Sequence, residues 1–381
     1  MTDRKNELTV ELLSEMARMI RTGESAKKVS IGLSTVGSEV PVEDLVQGAK
    51  DAMRQDRSLE VAVIGPYAGN DLPVYQAHSD EEVAAVLEDL LDRKILDGVV
   101  TMHYPFPIGV STVGKVITPA RGKQMYIATT TGTSATDRVQ AMVKNAVYGI
   151  AVAKADGIEN PTVGILNVEG ARQVERHLNG MRDKGYEFAW GTSRRSDGGH
   201  VLRGNDLIMG SVDVVVTDTL TGNVLMKMFS SFNSGGNYET IGCGYGPGIG
   251  EDFSRLILIL SRASGMPVVS GAIQYAASMV RGNIQKVKAT QINKAKQAGW
   301  TVENSKPAQE AAPQEIAPPA EKVVDSQIPG IDILELEDAV KALWQEKIFA
   351  SSGMGCTGPV ILVANEDRDQ ALEVLKNKGY L

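Results

Sequence analysis

Along most of the chain, short apolar runs alternate with longer stretches in which apolar residues recur every three or four positions. Residues 29–33 (VSIGL), 59–65 (LEVAVIG), 96–102 (LDGVVTM), 125–129, 161–168 (PTVGILNV) and 212–216 have the length and β-branched content of buried strands. The intervening 42–53, 80–92, 137–155 and 171–184 carry a helical period, with Ser79 or Asp80 as a cap for the second. In 137–155 the period places Val139, Met142, Val143, Ala146, Val147, Ile150 and Ala151 on one helix face. Strand and helix alternate with little break, which predicts an α/β fold: an open, mostly parallel sheet with helices on both faces. Further on, the pattern predicts a helix over 253–261, a strand over 266–271 and one long helix over 272–298. At the start, Leu12, Leu13, Met16, Met19 and Ile20 share one side of a predicted helix over 10–22, a packing or subunit-contact element.

The pattern breaks over 301–330. Prolines stand at 307, 313, 318, 319 and 329 among Ala, Gln and Glu, the composition of a semi-extended, disordered linker. Helices predicted over 334–344 and 366–378 then flank two short apolar runs, 348–350 and 360–363, to make a small C-terminal α/β module. The expected division is therefore an N-terminal helix over 1–28, an α/β body over 29–299, a linker over 300–330 and the module over 331–381.

Charge narrows the function. Over 381 residues the formal net charge is −8, whereas a nucleic-acid or anionic-membrane protein presents a basic footprint. The charged, amphipathic start lacks the apolar core of a signal peptide, and no apolar run reaches the roughly 18 residues of a membrane span, so a cytoplasmic protein is expected. Two cysteines, Cys243 and Cys356, make neither a disulfide framework nor a zinc cluster, and four scattered histidines show no metal-ligand spacing.

Three stretches carry candidate chemistry. In 346–363 (EKIFASSGMGCTGPVILV), glycines and a proline argue against regular structure over 351–359, the loop that holds Cys356. Glycines beside a thiol let backbone N–H groups point at the sulfur, lowering its pKa and holding a thioester oxygen. The competing reading is a packed cysteine in a tight turn. The second stretch is the turn 217–223, which follows a strand and opens a helix. It gathers Asp218, Thr221 and Asn223 where open α/β sheets bind ligands and where helix N–H groups favour anions. Asp218, Thr219 or Thr221 reads equally well as a helix cap. The third, GGNYETIGCGYGPGIGED over 235–252, surrounds Cys243 with glycines and matches no phosphate-loop pattern; it reads as a substrate loop or a plain surface loop.

The body over 29–288 resembles the phosphate acyltransferases of phospholipid synthesis. The resemblance rests on 158–168 (IENPTVGILNV), on Gly204 with Asn205, and above all on 212–227 (VDVVVTDTLTGNVLMK). At the amino end the pattern departs: that family's Asp-Ala-Met-Gly-Gly-Asp loop corresponds here to LSTVGSE over 33–39. Over its whole length the chain resembles the alpha subunits of component C of glycine/sarcosine/betaine reductase complexes, which share the C-terminal extension and its Gly-Cys-Thr-Gly-Pro loop. That resemblance implies an anaerobic amino-acid fermenter and a hetero-oligomer with a beta subunit similar to β-ketoacyl-carrier-protein synthase III. It implies that an acetyl group from carboxymethylated selenoprotein A is held as a thioester on Cys356 and released by phosphate as acetyl phosphate. The amides of Gly355, Thr357 and Gly358 are then candidates for the oxyanion site. Asp218, Thr221, Gly222 and Asn223, with Arg203, Arg194 or Arg195, are candidates for holding phosphate. No metal or cofactor is called for beyond inorganic phosphate as co-substrate. Two other readings stay open: acyl-carrier-protein:phosphate acyltransfer with the thiol incidental, and a non-catalytic scaffold subunit.

Overall fold

The computed structural model describes residues 28–195, 198–301, 317–332, 335–355 and 358–381. The first part of the body runs β1 (Val29–Ser34), α1 (Val42–Gln55), β2 (Leu59–Ile64), β3 (Val74–Tyr75), α2 (Asp80–Asp92), β4 (Gly98–Thr101), β5 (Val110–Ile117) and β6 (Gln124–Thr133). Next come α3 (Arg138–Ala155), β7 (Thr162–Leu166), α4 (Ala171–Asp183), β8 (Ala189–Trp190), β9 (Val201–Leu202), α5 (Gly204–Met209), β10 (Val214–Val216) and α6 (Thr219–Ser231). The body closes with β11 (Gly246–Ile249), β12 (Ile257–Ile259), α7 (Met266–Arg281) and α8 (Ile284–Gln297).

These strands form one 12-stranded sheet in the order β3-β2-β1-β4-β12-β11-β5-β6-β10-β7-β8, with β9 also on β7. Pairing is parallel except at β12–β11, β11–β5 and β5–β6. Two parallel halves therefore run in opposite directions, and the ends of β6, β10, β7 and β9 lie on the edge where β1 begins. The alternation of strand side chains sorts the helices. Ala128 and Val214 meet α3 at Gly149, whereas Ile127 meets α6 at Gly222, so α3 and α6 cover opposite faces. α3 is buried almost all round, as the central helix of a two-faced sheet must be.

The body corrects several expectations. The segment 253–271 has its helix and strand exchanged: β12 pairs with β4, and a helix starts at Met266 with proline in its first turn. The long helix expected over 272–298 is two, parted at Gly282 and Asn283; Asn283 takes φ 48° and caps α8. The glycine cluster is not a surface loop over 246–249, because β11 is buried there between β5 and β12. Gly246 has φ +82°, and a Cβ on it would lie 1.8 Å from the Val113 carbonyl oxygen, so the glycine is what lets two strands close up. β5 is not foreshadowed by the pattern, since Gly114 and Lys115 interrupt its apolar run.

The module is a second, three-stranded sheet of β13 (Ser326–Pro329), β14 (Ala350–Gly355) and β15 (Gly358–Val363) in the order β13-β15-β14, with α9 (Leu336–Gln345) and α10 (Arg368–Asn377). It has its own apolar cluster, including Ile328, Leu343, Ile361 and Leu375. β13 lies within the stretch expected to be linker, so the module begins before residue 331. The glycine-rich stretch 351–359 is not irregular on either side of the thiol: β14 and β15 pair as far as Gly355 opposite Gly358. Cross-strand bonds overcome the low strand propensity of glycine, and Pro359 lies beyond β13, whose pairing stops at Val360. Cys356 and Thr357, the segment 302–316 expected as linker and the helix expected over 10–22 lie outside the described residues. The module meets the body through Glu335, which accepts from Arg176 at 2.6 Å and from Gln173 at 3.2 Å on α4.

Candidate functional site

β6 and β10 are neighbours, yet the helices that follow them leave to opposite faces. That divergence opens a crevice at their carboxyl ends, the place where open α/β sheets take ligands. A cavity of about 240 Å³ lies there, lined by Gly132, Ser134, Arg138, Asn145, Asp218 and Leu220 among others. Both helix N-termini face it. Asp137 caps α3, its carboxylate accepting from the Gln140 amide at 2.7 Å. Asp218 caps α6, accepting from the Thr221 amide at 3.1 Å and the Thr221 hydroxyl at 2.7 Å. Helix N-termini carry partial positive charge, which the Asp137 and Asp218 carboxylates partly offset here.

Arg138 is the cation at the mouth. Its guanidinium donates to Glu169 at 3.1 Å and to Asp218 at 3.2 Å, and it stays about half exposed. A planar guanidinium held by two carboxylates keeps N–H groups free for an incoming oxyanion. Asn145, buried in α3, makes the floor. Its amide donates to the Thr217 carbonyl at 3.1 Å, and its oxygen accepts from Ser134 at 2.7 Å and Ser111 at 3.2 Å. One side chain thus ties together the ends of β10, β6 and β5.

The turn 217–223 does adjoin this cavity, but several of its polar atoms are already engaged. Thr221 is spent on Asp218. The Asn223 amide donates to the Thr130 carbonyl at 3.0 Å. Gly222 is needed for packing, since a Cβ there would sit 1.7 Å from the Thr129 carbonyl oxygen. Arg203 follows β9 on the same sheet edge, and its Nη2 is buried without a partner. The backbone amides of Arg203 and Arg194 both donate to Asp206. Burial pushes the Asp206 carboxyl up, but those two amides with the Ser193 and Ser211 hydroxyls more than offset it, and its pKa ends below the ordinary value. Asp206 thereby pins the loop that carries the arginines.

Residues 129–134 (TTTGTS) are rich in hydroxyls. Most of those hydroxyls turn out to lock strands: Thr129 donates to the Thr112 carbonyl and Thr130 to the Tyr245 carbonyl, each at 2.7 Å. The pattern gave no signal for Arg138 or Asn145 beyond their places in the helix predicted over 137–155. Gly355 and Gly358 face each other at the end of the hairpin. Cys243 is partly buried, with its sulfur 3.3 Å from where a Cβ on Gly271 would be. Burial pushes its thiol up and nearby Asp156 adds to this, against the pull of Lys115. Among the described residues no cluster of His, Cys, Asp or Glu is placed to hold a metal ion, and no helix is long and apolar enough to cross a membrane.

A crevice at a strand switch point with two helix N-termini turned into it places the candidate ligand site of this α/β protein at the carboxyl ends of β6 and β10. The chain belongs to the fatty acid synthesis protein family, whose model matches residues 29–362. Within it, the chain is 50% identical over 371 residues to the glycine/sarcosine/betaine reductase complex component C subunit alpha of Peptoclostridium acidaminophilum, covering 96% of each chain. It is 26% identical over 234 residues to the phosphate acyltransferase of Thermotoga petrophila, covering 52% of this chain and 67% of that one. A solved branched-chain phosphotransacylase from Enterococcus faecalis aligns with 66% of this chain and 99% of its own, at 16% identity and a TM-score of 0.48.

Proposed function

We propose that this chain is the alpha subunit of a glycine/sarcosine/betaine reductase component C and that it forms acetyl phosphate. In this reading the acetyl group derived from carboxymethylated selenoprotein A is carried as a thioester on Cys356. A phosphate oxygen attacks the thioester carbonyl, the carbon–sulfur bond breaks, and the sulfur leaves as thiolate, giving acetyl phosphate. The amides of Gly355, Thr357 and Gly358 are the oxyanion donors, and the phosphate waits in the cavity between α3 and α6 with Arg138 at its mouth. The partners are a synthase-like beta subunit and selenoprotein A, in a cytoplasmic hetero-oligomer. The chemistry needs no metal.

One observation carries the proposal. The reductase relative aligns with 96% of the chain, module included, whereas the phosphate acyltransferase relative aligns with 52%. The size of the cavity agrees: at about 240 Å³ it falls below the roughly 300–1,000 Å³ of pockets for drug-sized ligands and suits phosphate with a short acyl group.

The test is the intact mass of the purified subunit after exposure to acetyl phosphate, with and without its beta subunit. A hydroxylamine-sensitive gain of one acetyl group is expected. It should map to Cys356, vanish in Cys356→Ser and persist in Cys243→Ser. An adduct on Cys243, or acetyl phosphate formed by Cys356→Ser at the parent rate, overturns the proposal.

A further inference from the structure

β14 is an edge strand with an open side. Among the described strands it pairs with β15 alone, standing last in the order β13-β15-β14. In an antiparallel ladder, residues alternate between those whose N–H and C=O groups face the neighbouring strand and those whose groups face away. Two observations fix the phase here. Pro359 stands opposite Met354 and has no N–H to give, so this pair belongs to the set that faces away. The Ala350 carbonyl, of the same set, accepts from the Trp344 indole at 2.8 Å. The N–H and C=O groups of Ser352 and Met354 therefore point outward along the free side. Natural sheet edges are blunted by charges, prolines or bulges. β13, the other edge, carries Pro329, whereas β14 reads ASSGMG, with no charge, no proline and an unbroken register.

We propose that β14 pairs, antiparallel, with β14 of a second copy of this chain across a two-fold axis at Gly353. The edge is its own complement. With Gly353 opposite Gly353, Ser352 of each copy meets Met354 of the other, and each outward amide there finds the other copy's outward carbonyl. The open run also has the extent this occupant needs. Trp344 takes the Ala350 carbonyl at one end and the hairpin turns after Gly355 at the other, so the free stretch is centred on Gly353 itself. Residues facing each other without mutual hydrogen bonds approach to about 4.5 Å between Cα atoms, and glycine at the axis leaves that approach free of side chains. No charge on the strand sets one copy against the other, and Glu337 of α9 accepts from the Ser352 hydroxyl at 2.9 Å within its own copy. A two-fold contact of this kind is closed: each open edge covers the other, and no further chain can add. One strand pair is narrow beside the roughly 800 Å² per partner of a stable interface, so the pairing is expected to be reversible and concentration-dependent.

The experiment traps the pair by disulfide in the full chain, with Cys356→Ser removing the neighbouring thiol. Under mild oxidation Gly353→Cys should give a covalent dimer that mass spectrometry maps to position 353 of both copies, because side chains facing each other across the axis lie within disulfide reach. The site tolerates the change, since the added carbon meets the end of the movable Leu362 side chain at 2.9 Å. Ser352→Cys, which faces Met354 instead of itself, should give at least tenfold less dimer. Adding Ser352→Pro to the Gly353→Cys chain should also cut the dimer at least tenfold while the far-ultraviolet spectrum stays that of the parent, because this proline removes an outward N–H and none that β15 uses. Gly353→Cys dimer no more abundant than that of Ser352→Cys, a disulfide to Cys243 in place of one at 353, or a dimer that Ser352→Pro leaves unchanged overturns the proposal.

Discussion

Arg138 and Asp218 meet at 3.2 Å across the mouth of the cavity, although one opens a helix on one face of the sheet and the other caps a helix on the opposite face. The pair closes the crevice between two neighbouring strands whose helices diverge. Because it is exposed to solvent on the arginine side, it contributes little to stability.

Arg138→Ala should therefore leave the melting temperature nearly unchanged and raise the KM for phosphate. A charge-assisted hydrogen bond of about 1.5–3 kcal/mol corresponds to roughly 10–100-fold in kcat/KM. Steady-state assays with phosphate varied, beside thermal melting of the same variant, read the two effects apart. A melting temperature that falls together with phosphate use would assign Arg138 a structural role.

Asp218→Ala removes a helix cap and should lower stability by about 0.5–2 kcal/mol in denaturant unfolding. Gly222→Ala should be far worse, because the added carbon meets a β6 carbonyl rather than a movable side chain. A Gly222→Ala protein that melts with the parent would mean α6 can lift from the sheet.

Asn145→Leu keeps the volume but strands a carbonyl and two hydroxyls inside the protein. A loss of about 3 kcal/mol or more is expected, measured by chemical unfolding. Ser111→Ala, which removes only one donor at 3.2 Å, should cost about 1 kcal/mol.

Asp206 supplies a pH signature. Its folded pKa lies below the ordinary 3.8, so the folded state favours the carboxylate. Stability from this group is present above the unfolded value, about 3.9, and is lost as pH falls through the lower folded value. Asp206→Asn should thus be less stable than the parent at neutral pH by roughly 2–3 kcal/mol, with the gap narrowing below pH 4. A gap that stays constant from pH 7 to pH 3 would show that hydrogen bonding, not charge, holds the 193–211 loop.

What the sequence determined by itself is the local part of this protein. Alternating runs of period two and period 3.6 depend on near neighbours, so the parallel α/β class, the caps at Ser79 and Asp218 and the strand before the 217–223 turn were legible. The separate character of the C-terminal segment was legible too, because a change in composition is local. Only the tertiary structure decided which strands adjoin. β5 and β11 carry the reversal between the two halves of the sheet, and their glycines and Lys115 make sense only beside the strands they touch. The same is true of the cavity. Asn145 and Arg138 read as ordinary polar positions on a helix until β10 is inserted next to β6, a neighbourhood set by packing between segments some eighty residues apart. The hydroxyls after β6, and the extension of the hairpin strands to Gly355 and Gly358, follow the same rule: backbone partners from a distant strand outweigh the preferences of the residues themselves.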